Sequence, residues 1–175
     1  MRSTPNKPVI NRWYSFVMLV RTYSGNDPKT KSNGQGITKI AELSQRRWGC
    51  QILGIYANRD KRGKPGNLSV HALFRATDLK FTNRKQTVEA LDWFVKYNHQ
   101  LKIDLLVDYA YRGKLRKAYG RSWRCDTQKW KTHKKGEIDG GGTTWATWVH
   151  IEQGYGPLSE DGKLTEQHWR TLPRP

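Results

Sequence analysis

The stretch WATWVHIEQ, residues 145–153, alternates apolar and polar side chains over most of its length. Such alternation predicts a β-strand with one buried face. A second stretch, LSVHALFRATD at residues 68–78, begins with an apolar run that also predicts a strand. Each stretch carries one histidine, His150 or His71, inside its apolar part. We therefore expect both imidazoles to be shielded from water and held by the neighbouring backbone.

The segments around these two stretches mix helical and extended patterns. Apolar residues recur at helical spacing in residues 37–48, and Gly49 can end that helix. Residues 87–98 predict a second helix with Thr87 as its N-cap. Strand character is predicted for residues 51–57 and 103–111, a loop for 24–36, and no assignment is made for 114–142.

The length of 175 residues, 35% of them hydrophobic, predicts one compact domain. We divide it into an N-terminal segment and loop (1–36), a main domain (37–154) and a C-terminal tail (155–175). The 32 Lys and Arg against 15 Asp and Glu give a formal net charge of +17, which favours a polyanionic partner. Cys50 and Cys125 lack metal or disulfide spacing and are predicted to be buried free thiols.

His71 and His150 are candidate metal ligands. A catalytic zinc ion takes two or three neutral imidazoles, often with a carboxylate, and keeps one position open. Asp78 closes a largely apolar run, where a carboxylate is costly unless it is paired or bound to a metal. The other histidines lie in polar, lysine-rich or terminal contexts and are predicted to be surface residues: His99, His133 and His168. We predict one zinc ion, bound by His71, Asp78 and His150.

At SVHALFRATD the chain resembles the S-x-H-x-x-G-x-A-x-D signature of the zinc D-alanyl-D-alanine carboxypeptidases and related endolysin peptidases, the VanX, VanY or LAS peptidases. Four positions match: Ser69, His71, Ala76 and Asp78. The stretch GGGTTWATWVHIEQG is similar to the glycine-rich lead and F-V-H-[IV]-D-x-G ending of a branch that includes murein endopeptidases, with Glu152 in place of Asp. The resemblance covers roughly residues 37–154.

This resemblance implies an α+β fold with a small antiparallel sheet and flanking helices, of the LAS zinc peptidase type. It implies hydrolysis of the peptide stems of bacterial peptidoglycan, with His71, Asp78 and His150 as the zinc ligands. The resemblance also implies an arginine near the reacting carbonyl. Arg59 fits by position, with Arg62 and Arg75 as rivals.

The family pattern differs from this chain at two positions. Phe74 stands where the family has glycine, and Thr147 stands where many members place an acidic general base. Glu152 lies two residues beyond His150, so on a strand it shares the same face and could serve as the base or orient the imidazole. Glu137 and Asp139 are further candidates for the base.

Ser69 and Trp145 are predicted to contact substrate. Several tryptophans could either fill the core or line a groove that stacks on sugar rings, and we expect Trp148 to be a core residue. Anionic envelope polymers are further expected partners because of the positive charge.

The apolar run WYSFVMLV at residues 13–20 is too short to span a bilayer and is predicted to be a core element. No small-residue cleavage site follows it, so no signal peptide is predicted. By analogy with phage lysis enzymes, the protein is expected to be cytoplasmic until released to the cell wall, or virion-associated.

The alternative is a basic nucleic-acid-binding protein, or a virion structural protein with a non-catalytic peptidase fold. Residues 114–135 interleave basic side chains with Tyr119, Trp123 and Trp130, a pattern suited to backbone contact and base stacking. No helix-turn-helix, zinc-finger or RNP-type motif accompanies this charge. The sequence therefore favours the peptidase over nucleic-acid binding.

Overall fold

A computed structural model describes residues 30–61, 64–113, 116–138, 141–142 and 147–175. The predicted core element at 13–20 lies outside the described residues, as do Arg62, Asp139 and Trp145. The elements follow one another in this order: α1 (Gln35–Trp48), β1 (Gln51–Gly54), β2 (Asp60–Lys61), β3 (Lys64–Leu68), the short 3-10 helix η1 (Val70–Leu73), β4 (Ala76–Lys80), α2 (Arg84–Lys96), α3 (Asn98–Leu101), β5 (Ile103–Asp108), β6 (Arg121–Arg124), β7 (Lys129–Thr132), β8 (Trp148–Gln153), α4 (Pro157–Glu160) and α5 (Gly162–Arg170).

The fold is α+β, as predicted. Six strands form one antiparallel sheet in the order β1-β4-β8-β5-β6-β7, and β2 pairs with β3 in a separate two-stranded sheet. Strands β1, β5 and β8 confirm three of the predicted strands. The chain between β5 and β8, for which the sequence predicts no element, contributes β6 and β7.

The strand register places three polar residues and one valine in a row across one face of the large sheet. Asp78 lies opposite His150, His150 opposite Val107, and Val107 opposite Ser122. Directly opposed residues share a face of a sheet, so all four side chains lie on the same side. The neighbouring positions face the other side and are almost fully buried: Leu79, Val149, Leu106 and Trp123. One face of the sheet therefore packs into the core, and the other bears the candidate metal ligands Asp78 and His150.

Helices α1, α2 and α5 supply side chains to the core on the apolar face. In α1, Ile37, Ile40 and Ala41 are fully buried. Gly49 ends the helix as predicted, since its φ of 64° is left-handed and its N–H donates to the carbonyl of Gln45. The predicted helix at 87–98 exists as α2, which starts earlier than expected.

The N-cap of α2 is Asn83 and not Thr87. The side chain of Asn83 accepts a hydrogen bond from the Gln86 N–H, as a capping residue does. Thr87 lies one turn further on, where its hydroxyl donates to the Asn83 carbonyl at 2.9 Å. The prediction of Thr87 as the cap is therefore wrong, because the residue four positions before it satisfies the free N–H groups first.

Residues 155–175, described from the sequence as a tail, contain α4 and α5. Asp161 caps α5 by accepting from two backbone N–H groups. Trp169 is 4% exposed and packs with its ring centroid 4.7 Å from that of Trp93 and 6.0 Å from that of Trp48. This segment is therefore part of the main hydrophobic core.

The predicted strand through LSVHALF is wrong beyond Leu68. Ser69 caps the 3-10 helix η1 by accepting from the His71 N–H, so the chain turns where a strand was expected. Cys50 and Cys125 are buried free thiols, as predicted, and burial raises the pKa of Cys50 to about 11. Among the described residues, no helix is both long and apolar enough to cross a membrane.

Candidate metal centre

Three elements bring the predicted ligands together. His71 comes from η1, Asp78 from β4 and His150 from β8, where Asp78 and His150 are direct cross-strand neighbours. One potential ligand atom from each residue lies within 4.8 Å of the others. Two imidazoles and a carboxylate at this spacing could hold a metal ion, with further coordination positions left open.

The imidazole of His71 is held by the backbone in a single tautomer. Its Nδ1 lies 3.0 Å from the carbonyl oxygen of Ile55, which can only accept a hydrogen bond. Nδ1 therefore carries the proton, and in the neutral ring Nε2 carries the lone pair. Nε2 points to Asp78, 3.2 Å from its Oδ2, where the charged ring can donate a hydrogen bond and the neutral ring can offer its lone pair to a metal. Such backbone anchoring of the far nitrogen is typical of histidines that bind metals.

Asp78 bridges the two imidazoles. Its Oδ2 faces His71, and its Oδ1 lies 3.0 Å from Nδ1 of His150. Burial alone would raise the pKa of Asp78, but the hydrogen bonds and charges of His150 and His71 outweigh it and hold the pKa well below its usual range. The carboxylate is therefore ionised and ready to bind a cation.

His150 lies between two carboxylates. Nδ1 faces Asp78 at 3.0 Å, and Nε2 faces Oε1 of Glu152 at 3.2 Å. Burial disfavours the charged ring, but the hydrogen bonds to Asp78 and Glu152 and their charges raise the pKa of His150 to about 9. In this arrangement, Nδ1 is the nitrogen that faces the other two ligands, and Nε2 is the one held from behind.

Glu152 is 7% exposed and lies on the same face of β8 as His150, as its spacing predicted. Its Oε1 contacts the imidazole, which is the position of a carboxylate that orients a metal ligand. Thr147 occupies the position where the family pattern has an acidic base. It is not suited to that role, because its hydroxyl donates to the Phe81 carbonyl at 2.6 Å. Glu137, a further candidate for the base, instead pairs with His133 at 3.3 Å.

A cleft of about 290 Å³ opens over the three ligands. Ser69 lines it in addition to capping η1, which is where a predicted substrate contact should lie. Arg59 also lines the cleft and is exposed, whereas Arg75 is fully buried and absent from its walls. Of the two described arginines proposed from the sequence, Arg59 alone could reach a substrate in this cleft.

Phe74 adopts the left-handed conformation, with φ 53° and ψ 38°. Glycine adopts this conformation without a steric penalty, and glycine is the residue that the signature resembled by this sequence has at this position. The ring of Phe74 stacks on Tyr56 with centroids 4.0 Å apart and an interplanar angle of 10°. Phe74 does not line the cleft, so its bulk leaves the ligand set accessible.

A second polar group lies on the same face of the sheet and was missed from the sequence. Ser122 contacts Nε2 of His133 at 2.8 Å, and Nδ1 of His133 lies 3.3 Å from Glu137. The side chain of His133 is only 10% exposed, so the prediction of a surface residue is wrong. The only sequence signal was the four-residue spacing of His133 and Glu137, because Ser122 reaches them through the pairing of β6 with β7.

Comparison with known proteins found no match to this chain among family models, curated proteins or solved structures. The geometry of its own residues therefore carries the functional argument.

Proposed function

We propose that the protein is a zinc-dependent peptidase that hydrolyses the peptide stems of bacterial peptidoglycan. The observation that carries this proposal is the convergence of His71, Asp78 and His150 at the floor of an open cleft. Two histidines and one carboxylate, with an open position, form a ligand set used by zinc peptidases. The resemblance of the two ligand-bearing stretches to the LAS signature supports the same reaction.

Each of the described residues around the cleft would have its own role in such a site. His71, Asp78 and His150 would hold the ion, with His71 fixed by the Ile55 carbonyl and His150 by Glu152. When bound, zinc supplies a Lewis acid that polarises a carbonyl and acidifies water. Arg59, at the rim of the cleft, is suited to stabilise negative charge on the reacting carbonyl oxygen.

Glu152 has two possible roles that experiment can separate. Its contact with Nε2 of His150 supports a positioning role, in which it fixes the ring and increases its basicity. A general base would instead take a proton from water in the cleft, which Glu152 also lines. Loss of Glu152 as a base should reduce kcat strongly at full metal occupancy, whereas loss of positioning should first reduce metal affinity by about 10- to 100-fold.

Metal content is the first test. The purified protein should contain close to one zinc ion, and His71→Ala or His150→Ala should remove it. His133→Ala is the matched control, since His133 is a partly buried histidine paired with a carboxylate outside the ligand set. Two histidines and a carboxylate also suit ferrous iron, so the identity of the metal is decisive. A folded protein that selects iron, or no metal, would contradict the proposal.

Activity on purified peptidoglycan is the second test. The zinc-loaded protein should release new amino and carboxyl ends from the peptide stems, visible by mass spectrometry of the muropeptides. His150→Ala should abolish this release, and Arg59→Gln should reduce kcat/KM by about 100-fold or more. Intact stems after incubation with fully zinc-loaded protein would overturn the peptidase assignment while leaving the metal centre in place.

One observation favours the alternative function, nucleic-acid binding: exposed positive charge on the sheet. The hairpin of β6 and β7 carries Lys129 and Lys131, both exposed, on the face that bears the metal ligands. Its aromatic residues do not favour base stacking, because Trp123 is 1% exposed and Arg121 lies 4.1 Å from the centroid of the Trp130 ring. A gel shift that weakens steeply with salt, without cleavage of peptidoglycan, would favour this alternative.

A further inference from the structure

A second cavity, of about 360 Å³, lies among the helices that pack on the apolar face of the sheet. It is formed by the C-terminal ends of α1 and α5 and by the residues that follow α5. Leu43, Trp169 and Leu172 provide its apolar lining. The other lining residues are all arginines: Arg46, Arg47, Arg170 and Arg174. Because the metal ligands lie on the opposite face of the sheet, this cavity is a separate site.

Arg47 lines this cavity and lies against two tryptophan rings. Its guanidinium carbon lies 4.4 Å from the centroid of the Trp93 ring and 4.6 Å from that of Trp169. The rings favour the cation but provide no hydrogen-bond acceptor in the plane of the guanidinium. Nη1 of Arg47 is buried and has no hydrogen-bond partner among the described residues. A buried donor without an acceptor is costly and points to a missing ligand, ion or water.

The charges around Arg47 are poorly balanced. Burial lowers the pKa of Arg47, and the positive charge of Arg174 lowers it further. Glu166 lies nearby, but it already accepts two hydrogen bonds from Arg170, at 3.2 and 2.7 Å. None of the described residues that line the cavity is acidic. An anion in the cavity would relieve the repulsion between the arginines.

The helix ends explain part of this arrangement. Arg46 and Arg47 lie in the last turn of α1, and Arg170 lies in the last turn of α5. Cations are favoured there because the carbonyl end of a helix carries partial negative charge. That effect accounts for the positions of these arginines, but it supplies no acceptor to Nη1 of Arg47. A water molecule or a ligand with oxygen acceptors would have to supply it.

We propose that this cavity binds the phosphate groups of a phosphodiester polymer that has no bases to stack, such as a glycerol phosphate polymer. Guanidinium groups present paired N–H donors that match phosphate oxygens. A single-stranded nucleic acid would also offer phosphates, but it gains much of its affinity from stacking on exposed aromatic rings. Trp93 and Trp169 are each 4% exposed, and Arg47 already contacts their rings. The cavity therefore offers charge without a stacking surface.

The experiment titrates the full-length protein with oligo(glycerol phosphate) and follows tryptophan fluorescence together with calorimetry. Arg47→Gln should weaken binding about tenfold or more, because one charge-assisted contact is lost. Arg47→Lys keeps the charge but loses the fork of donors, so it should restore binding only in part. Arg174→Gln, at an exposed position, should weaken binding in the same direction and tests the site if Arg47 variants fold poorly.

Arg124→Gln is the matched control. It removes the same charge from an exposed arginine on β6, outside the cavity, so it should leave the affinity within about twofold. Equal affinity of the Arg174, Arg47 and wild-type proteins would overturn the site. Tighter binding of oligo(dT) than of oligo(glycerol phosphate) at equal phosphate concentration would overturn the polymer assigned to it. The peptidase proposal is not involved, because neither readout depends on metal or cleavage.

Discussion

Zinc binding to this centre should release close to one proton from His150 per ion at pH 7. Burial of His150 opposes its charged form, but Asp78 and Glu152 outweigh that effect and raise its pKa to about 9. A metal takes the lone pair of a neutral imidazole, so the proton on Nδ1 must leave. At pH 7 a histidine with a pKa near 9 is about 99% protonated, whereas an unperturbed histidine is about 25% protonated.

The same proton sets the pH dependence of the affinity. Between pH 6 and pH 8, the contribution of His150 should lower the apparent Kd for zinc about 90-fold, against about fourfold for an unperturbed histidine. These changes correspond to about 2.7 and about 0.8 kcal/mol of binding free energy. The difference is large enough to be measured directly.

Calorimetry in buffers of different ionisation enthalpy counts the protons released, and competition with a chromophoric chelator gives the Kd at each pH. Glu152→Gln removes one of the two carboxylates that face His150, so it should lower the proton count and flatten the pH dependence. Glu137→Gln is the control, since it removes a carboxylate from a different histidine, His133. A proton count and a pH dependence of the Kd that Glu152→Gln leaves unchanged would refute the coupling between His150 and its carboxylates.

Three further predictions concern stability. In chelator-treated protein, the free energy of unfolding should fall by up to about 3 kcal/mol as pH rises from about 6.5 to 9, because His150 binds its proton more tightly in the folded state; urea titrations would show this slope, and His150→Gln should remove it. Asp108→Asn should lower the free energy of unfolding by about 3 to 5 kcal/mol, because the buried carboxylate of Asp108 pairs with Arg84 and Arg121. Asp126→Asn is the control in the same titrations, and at its more exposed ion pair it should lower the free energy of unfolding by about 1 kcal/mol or less. Trp169→Ala should cost about 3 to 5 kcal/mol, and an unchanged midpoint of thermal unfolding would contradict the inclusion of α5 in the core.

Periodicity predicted the elements whose burial is one-sided. Helix α1 and strand β8 each have one buried face, and the apolar spacing in the sequence reports that directly. The pairing of Asp78 with His150 was not visible, because register depends on contacts between residues 72 positions apart. Their residue types identified them as candidate ligands, and the antiparallel pairing of β4 and β8 made them neighbours.

Periodicity failed at η1 because a short apolar run fits a buried strand and a buried turn equally well. The local signal was Ser69, whose side chain accepts from a backbone N–H two residues later and starts a helical turn. The contact between His71 and the Ile55 carbonyl could not be predicted from the sequence, because every residue has a backbone carbonyl. Hairpin β6–β7 was equally hidden, since each strand carries one tryptophan between polar residues.

Phe74 ends η1 in a left-handed conformation, at the position where the signature that the sequence resembles has glycine. A left-handed conformation costs a residue with a side chain about 1 to 2 kcal/mol relative to the right-handed one. Stacking on Tyr56 offsets part of that cost, since aromatic pairs contribute about 0.5 to 1.5 kcal/mol beyond their burial. At this position the backbone conformation therefore matters more than the size of the side chain. With the left-handed turn formed by Phe74, η1 presents His71 to Asp78, so a bulky residue here is compatible with the convergence of the two groups.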